Sequence, residues 1–273
     1  MTIPQIAPAF PESPRSAAPG TAEDALALIR GGALRLAWQP VRAASGAAFF
    51  EEGLARLALP CGALLPAGAF VPLLEEAGAA AELDRAALDL TLARLAEARG
   101  LRLSVNLSAD SLGDGGWHAR LLTTARDDAD AARRLIVEIT ETAAPDIDRA
   151  RVARRAIGAQ GPAVALDDFG AGHATEAVAL ALRPDILKLD RRFAADLRDG
   201  RPGAPERFAA AHALAARLEA PVIAEGAETP LEALRLIALG ADGVQGYGVG
   251  LPQTDPASVA APVLRLPRRA AGA

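Results

Sequence analysis

Short apolar runs alternate with segments of helical spacing along most of this 273-residue chain, and that alternation limits the fold more than any other feature. The runs are LRLAWQPV, AAFFEEGLARL, LRLSVNLS, LIVEIT, AVALDD, ILKLD, PVIAEG and DGVQGY. Between them, AELDRAALDLTLARLAEAR, DIDRARVARRAIGAQ, ERFAAAHALAARLE and PLEALRLIALG repeat apolar residues at the spacing of one helix face. Strand–helix alternation makes βα units and a parallel sheet buried on both faces. About eight such strands in one domain predict an α/β fold, a TIM-like (β/α)8 barrel. A doubly wound open sheet is the other arrangement the pattern allows. Helices are expected to stop in a left-handed turn at Gly100, Gly158 and Gly240.

Each of seven runs ends in a polar residue able to bind a cation or move a proton. In order these are Glu52, Asn106, Glu138, Asp167 with Asp168, Lys188, Glu225 and Gln245. In a barrel the C-terminal strand ends converge on one mouth, where active sites lie. Residues spread over the sequence are thereby expected in one pocket. Lys188 stands out as the only lysine among 29 basic residues. Lysine is a compact ammonium whose pKa responds to burial, whereas arginine is a wide fork that stays charged. The only asparagine, Asn106, and the only tyrosine, Tyr247, sit in similar places. Singly, each residue has a plain structural reading: a surface lysine, a helix N-cap at Asp168 or Glu228, a turn at Asn106, a backbone partner at Gln245. For the whole set, that reading must be invoked separately at every strand end.

Carboxylates with one amide oxygen form a hard donor set suited to Mg2+ or Mn2+. The adjacent aspartates of LDDFG repel each other unless a cation lies between them. One leaving its strand and the next entering a loop would reach two ions roughly 4 Å apart, as two-metal phosphodiester hydrolysis requires. Such ions also let a chain of net charge −5 hold an anionic substrate. That charge provides no basic face for a nucleic-acid polymer. His118, His173 and His212 lack metal-ligand spacing, which argues against zinc. The chain has no P-loop and no G-x-S-x-G elbow, against NTPases and α/β-hydrolases.

The proline-rich start, MTIPQIAPAFPESPRSAAPG, does not suit a signal peptide. Residues 1–21 are expected to be a disordered lead-in, 22–265 one barrel domain, and 266–273 a flexible tail, with no sensor or cyclase domain. No charge-free apolar segment reaches the ~20 residues that span a bilayer, so no membrane insertion is expected. The single cysteine, Cys61, forms no internal disulfide, consistent with a reducing cytoplasm.

These residues resemble the EAL-domain family, phosphodiesterases acting on the bacterial second messenger cyclic di-GMP. The motifs are EGLAR, LPAGAFVPLLEEAG, LRLSVNLSA, LIVEITET, VALDDFGAGHAT, RPDILKLDRRF, VIAEGAET and DGVQGYGVGLP. The resemblance implies a barrel whose first strand runs antiparallel to the rest. It implies Glu52, Asn106, Glu138 and Asp167 as ligands of one divalent cation, with Asp167 bridging to a second that Asp168 also holds. Lys188 is then the contact of the attacking water, Glu225 lies beside the second ion, and Glu141 braces the loop after the double aspartate. Gln39, Arg56, Glu228 and Gln245 are implied as supporting or substrate-contacting positions. The implied product is linear pGpG and the implied assembly a homodimer.

Departures from the family pattern are Gly53 for the central alanine, Ala171, His173 and Ala174 in the loop, and an aromatic missing from QGYGVGLP. They keep a second reading open, a catalytically weak or inactive receptor or interaction module of the same family. A third is a metal-dependent aldolase or lyase on the same barrel, since fold alone does not fix function.

Overall fold

The computed structural model describes residues 18–140, 147–172 and 175–254. Nine strands make one sheet: β1 (Leu34–Ala43), β2 (Ala48–Ala58), β3 (Leu64–Pro66), β4 (Leu103–Ser108), β5 (Leu135–Thr140), β6 (Ala163–Phe169), β7 (Ile186–Leu189), β8 (Val222–Ala224) and β9 (Gly243–Val244). Their order is β1-β9-β8-β7-β6-β5-β4-β2-β3, and β1 also pairs with β2, which closes an eight-stranded barrel with β3 as a short flange. β1 is antiparallel to both neighbours, while β2 and β4 to β9 pair in parallel. The expected barrel and its reversed first strand are both present.

Alternation along the strands sorts side chains into an inner and an outer face. Val41, Phe50, Ile136, Ala165, Ile186 and Ile223 belong to a compact cluster of their own. Each lies two residues from a polar residue: Gln39 and Glu52 within the long strands β1 and β2, and Glu138, Asp167, Lys188 and Glu225 near or just past the ends of theirs. The barrel interior is therefore an apolar plug with a polar layer directly above it. The larger apolar cluster fills the shell between strands and helices, with Trp117, Phe70, Phe208 and Leu83, Leu88, Leu92 and Leu95 of helix Ala80–Glu97.

Helices are started by side chains that accept otherwise orphaned backbone N–H groups. Thr21 forms a capping box with Asp24, and Asp114, Asp128, Thr175, Asp190 and Thr229 each accept a bond at a helix start. Two aspartates repeat another device at the barrel floor. Asp185 Oδ2 accepts from Val164 N at 2.9 Å, and Asp242 Oδ2 from Val222 N at 2.8 Å. Of the three expected glycine stops, only Gly240 has a left-handed backbone, φ +109°. Gly158 is the last residue of helix Ile147–Gly158, and Gly100 follows a helix that ends at Glu97. Residues 1–17, 255–265 and the tail 266–273 lie outside the described residues.

Candidate active site

Pairing register builds the site. Gln39 lies opposite Glu52, and Asn106 opposite Glu138. Lys188 of β7 is fully buried at the centre of the polar layer. Its Nζ lies 2.6 Å from Glu138 Oε2, 2.7 Å from Glu225 Oε1, 3.0 Å from Asp167 Oδ1 and 3.1 Å from Glu52 Oε2. An ammonium has three N–H groups, so four carboxylates cannot all be hydrogen-bonded by it. Hydrogen-bond geometry is met toward Glu138 and Glu52, while Asp167 Oδ1 and Glu225 Oε1 are buried without a hydrogen-bond donor. Glu52 is held further: Gln245 Nε2 donates to Oε2 at 2.7 Å and Asn106 Nδ2 to Oε1 at 3.2 Å. Gln245 Nε2 also reaches Gln39 Oε1 at 3.2 Å, and Gln39 Nε2 donates to Gly250 O at 3.1 Å. The strand-end residues of the sequence reading thus meet in one place.

One ammonium among this many acids leaves the charge unbalanced. Burial raises the Glu138 carboxyl, with help from Glu52 and Asp167, to about 8. Burial likewise lifts Glu225 well above the usual carboxylate range. Glu52 resists its burial and ends below its ordinary value, through Lys188, Gln245 and Asn106. Lys188 is also penalised by burial, but its acidic neighbours, Asp167 foremost, raise it well above an ordinary lysine.

Asp168 reaches the same mouth by a different route. Period-two alternation would turn it away from Asp167, yet its backbone is left-handed, φ +52°, and the β6–β7 register slips between Leu166 and Phe169. Both aspartates lie within β6, so the turn from strand to loop comes later than the sequence suggests. Left-handed backbone is strained for most residues and least so for Asn and Asp. Burial, then Asp167 and Asp190, raises Asp168 to about 6. The helix N-cap reading fails for both candidates, because Thr175 and Thr229 cap the following helices.

Around the rim the expected positions divide. Arg56 is half-buried; burial lowers its pKa, while the exposed Tyr247 and Glu52 raise it. Glu228 does not join the acidic cluster. It is exposed and faces Arg198 Nη1 at 3.5 Å. Glu141, His173 and Ala174 lie outside the described residues. At Gly248 a Cβ would come within 2.2 Å of the Thr229 backbone, so only glycine lets loop 245–250 press against loop 225–229. Sequence reasoning missed Asp84, a buried carboxylate on helix Ala80–Glu97. It accepts from Ser108 N at 3.0 Å and Ser108 Oγ at 2.7 Å, anchoring β4 two residues beyond Asn106. Its signal was present: Asp84 shares a helical stripe with Leu88, Thr91 and Leu95.

The donor set fits a divalent cation. Glu52, Glu138 and Asp167 bring one oxygen each within 4.8 Å of one another, as do Asp167, Asp168 and Glu225, with Asp167 common to both groups. Glu138 Oε1, buried without a hydrogen-bond partner while Oε2 faces the ammonium, is the atom a hard cation would most directly satisfy. A stability prediction follows from the sign of the shifts. Glu138, at about 8, and Asp168, at about 6, both stand above the unfolded carboxylate range of about 4. Between those limits the folded chain binds more protons than the unfolded one, so stability falls as pH rises. Metal-free protein is expected to melt lower at pH 8 than at pH 5.5, and Mn2+ to remove most of that difference. An unchanged melting temperature across this range contradicts the electrostatic description.

Fold and site together define a (β/α)8-type barrel with an acidic mouth suited to a divalent cation. The sequence matches the family model described as EAL domain over residues 22–252, and the chain belongs to the EAL domain family. Among curated relatives, the cyclic di-GMP phosphodiesterase NbdA of Pseudomonas aeruginosa is 33% identical over 226 residues, covering 80% of this chain and 29% of that protein. The bifunctional diguanylate cyclase/cyclic di-GMP phosphodiesterase MucR of the same organism is 31% identical, covering 80% and 33%. The chain thus spans about a third of the length of these relatives. Among solved structures, a PaMucR phosphodiesterase in complex with c-di-GMP superposes with a TM-score of 0.75 at 28% identity, covering 85% of this chain and 96% of that one. The FimX EAL domain from Pseudomonas aeruginosa, bound to c-di-GMP, gives 0.75 at 25% identity, covering 85% and 97%.

Proposed function

We propose that this chain, with its domain taken as residues 22–265, is a cytoplasmic phosphodiesterase that hydrolyses cyclic di-GMP to linear pGpG with two divalent cations, Mg2+ or Mn2+. The observation that carries this reading is the single buried ammonium of Lys188, 2.6 to 3.1 Å from four carboxylates, three on different strands and Glu225 just past the end of β8. Glu52, Asn106, Glu138 and Asp167 would hold one ion, and Asp167 and Asp168, with Glu225 beside them, the other. Bound there, the ions would polarise the phosphodiester and lower the pKa of water.

The remaining roles belong to the chain. Among the described residues, Lys188 is the cationic side chain set amid those carboxylates, so its N–H groups orient an oxygen nucleophile between them. Gln245 and Asn106 fix both oxygens of Glu52, and Gln39 in turn holds Gln245. Arg56, on the mouth side of Glu52, supplies positive charge toward an anionic substrate. Glu141 braces the loop after Asp168 in this reading. Glu228, paired with Arg198 at the rim, is the weakest of the proposed substrate contacts.

The test is incubation of purified protein with cyclic di-GMP and either ion, with products separated by chromatography. pGpG is expected with Mn2+ or Mg2+ and none with excess EDTA. Dinucleotide binding without pGpG assigns a receptor instead, and cleavage that survives the chelator removes the metal from the account.

A further inference from the structure

We propose that Trp38 is a positioning residue for this site, acting on Glu52 from behind its strand, with Gly53 as the partner that makes room for it. The proposal rests on the metal-site reading above and does not depend on which substrate is cleaved. Across β1 and β2, Gln39 faces Glu52, and the next pair is Trp38 with Gly53. Alternation turns the first pair into the barrel and the second outward. Trp38, 5% exposed, therefore stands directly behind the pair that carries Glu52.

The room at residue 53 is already used. A Cβ there would lie 3.0 Å from Trp38 Cζ3, 3.1 Å from the Ser104 backbone oxygen and 3.3 Å from Leu36 Cδ1. Ser104 O cannot withdraw, because β4 is fixed by its pairing with residues 51–53 of β2. Trp38 cannot withdraw either. Arg94 covers its ring, with the guanidinium carbon 5.0 Å from the centroid. The same arginine donates from Nη2 to Glu51 Oε2 at 3.3 Å. The Trp38 backbone is tied to Gln253 by two hydrogen bonds, 2.8 and 3.0 Å long. Residues 51 and 53, the two neighbours of Glu52, are thus fastened to one Trp–Arg strap. A methyl group added at 53 therefore presses β2 against these neighbours by a few tenths of an ångström. That is a sizeable share of the roughly 0.5 Å within which a metal-type site must be held.

In this light, Gly53 in place of the family's central alanine is one half of a matched pair, and its role is space, since its backbone is not left-handed. The test is a double-substitution cycle, read by calorimetric Mn2+ affinity of metal-stripped protein well below its melting temperature. Gly53→Ala is expected to weaken Mn2+ binding about tenfold, the scale of a lost supporting contact. Trp38→Phe placed in the Gly53→Ala background is expected to recover at least half of that loss on a logarithmic scale. Arg94→Met, which cuts the strap with Gly53 intact, is expected to weaken binding in the same direction. Substitutions that only lower the melting temperature and leave Mn2+ affinity unmoved overturn the proposal, as do effects of Gly53→Ala and Trp38→Phe that simply add. A parent protein that binds no Mn2+ overturns the metal-site reading and this proposal with it, whereas an additive cycle on a Mn2+-binding parent overturns this proposal alone.

Discussion

Lys188→Arg is expected to lower turnover of cyclic di-GMP at least a hundredfold, the scale on which a positioned proton-transfer or hydrogen-bonding group contributes. The charge survives this change, but the shape does not. Four carboxylate oxygens surround Nζ at 2.6 to 3.1 Å in a fully buried position, above the apolar layer that includes Ile186. A planar guanidinium is wider than that cage, and overfilling a buried site costs roughly 1–3 kcal/mol. Lys188→Met separates charge from shape. Without metal it leaves several buried carboxylates uncompensated, a loss on the order of 3–5 kcal/mol. Divalent cation should restore most of that stability, because the ion replaces the missing positive charge, while turnover stays absent. Thermal melts of both variants with and without Mn2+, beside a rate measurement, check this. Near-parental turnover in Lys188→Arg contradicts the role given to the ammonium.

Asp168→Asn is expected to move stability and function in opposite directions. Asparagine tolerates left-handed backbone at least as well as aspartate, so the turn at φ +52° is kept. What disappears is a negative charge that burial, Asp167 and Asp190 already disfavour. Metal-free protein should therefore melt a few degrees higher at pH 8, since 1 kcal/mol moves a domain of this size by about 2–4 °C. The stabilisation gained from Mn2+ and the cleavage rate should both drop, the rate by at least tenfold. A fall in metal-free melting temperature without loss of rate would return Asp168 to a purely structural role.

The barrel was legible because parallel strands buried on both faces read as short apolar runs, and LIVEIT, AVALDD and ILKLD are such runs. The site was legible because each run ended on a residue type that a buried strand end does not need. Short helices were less visible. Glu176–Leu182 and Arg191–Arg198 are brief and rich in alanine or arginine, and Gly115–Asp127 buries only Trp117 and Leu121 strongly, so their buried stripes are thin. That Asp168 reaches the mouth beside Asp167 was legible, but the device was not: strand periodicity points it outward, and a left-handed backbone inside β6, rather than an exit into a loop, brings it back. Gly53 was legible only as a departure from the family's central alanine, whereas its surroundings show a shortage of space beside Trp38. Contacts between residues fifteen positions apart across two strands have no local signature.

Electron paramagnetic resonance of metal-stripped protein titrated with Mn2+ tests the central claim most directly. Two ions per chain are predicted, with a spin-coupled spectrum that Asp168→Asn reduces to the signal of isolated Mn2+. A chain that stays free of Mn2+ at millimolar concentration, or a single uncoupled ion unaffected by Asp168→Asn, contradicts the paired-cation site.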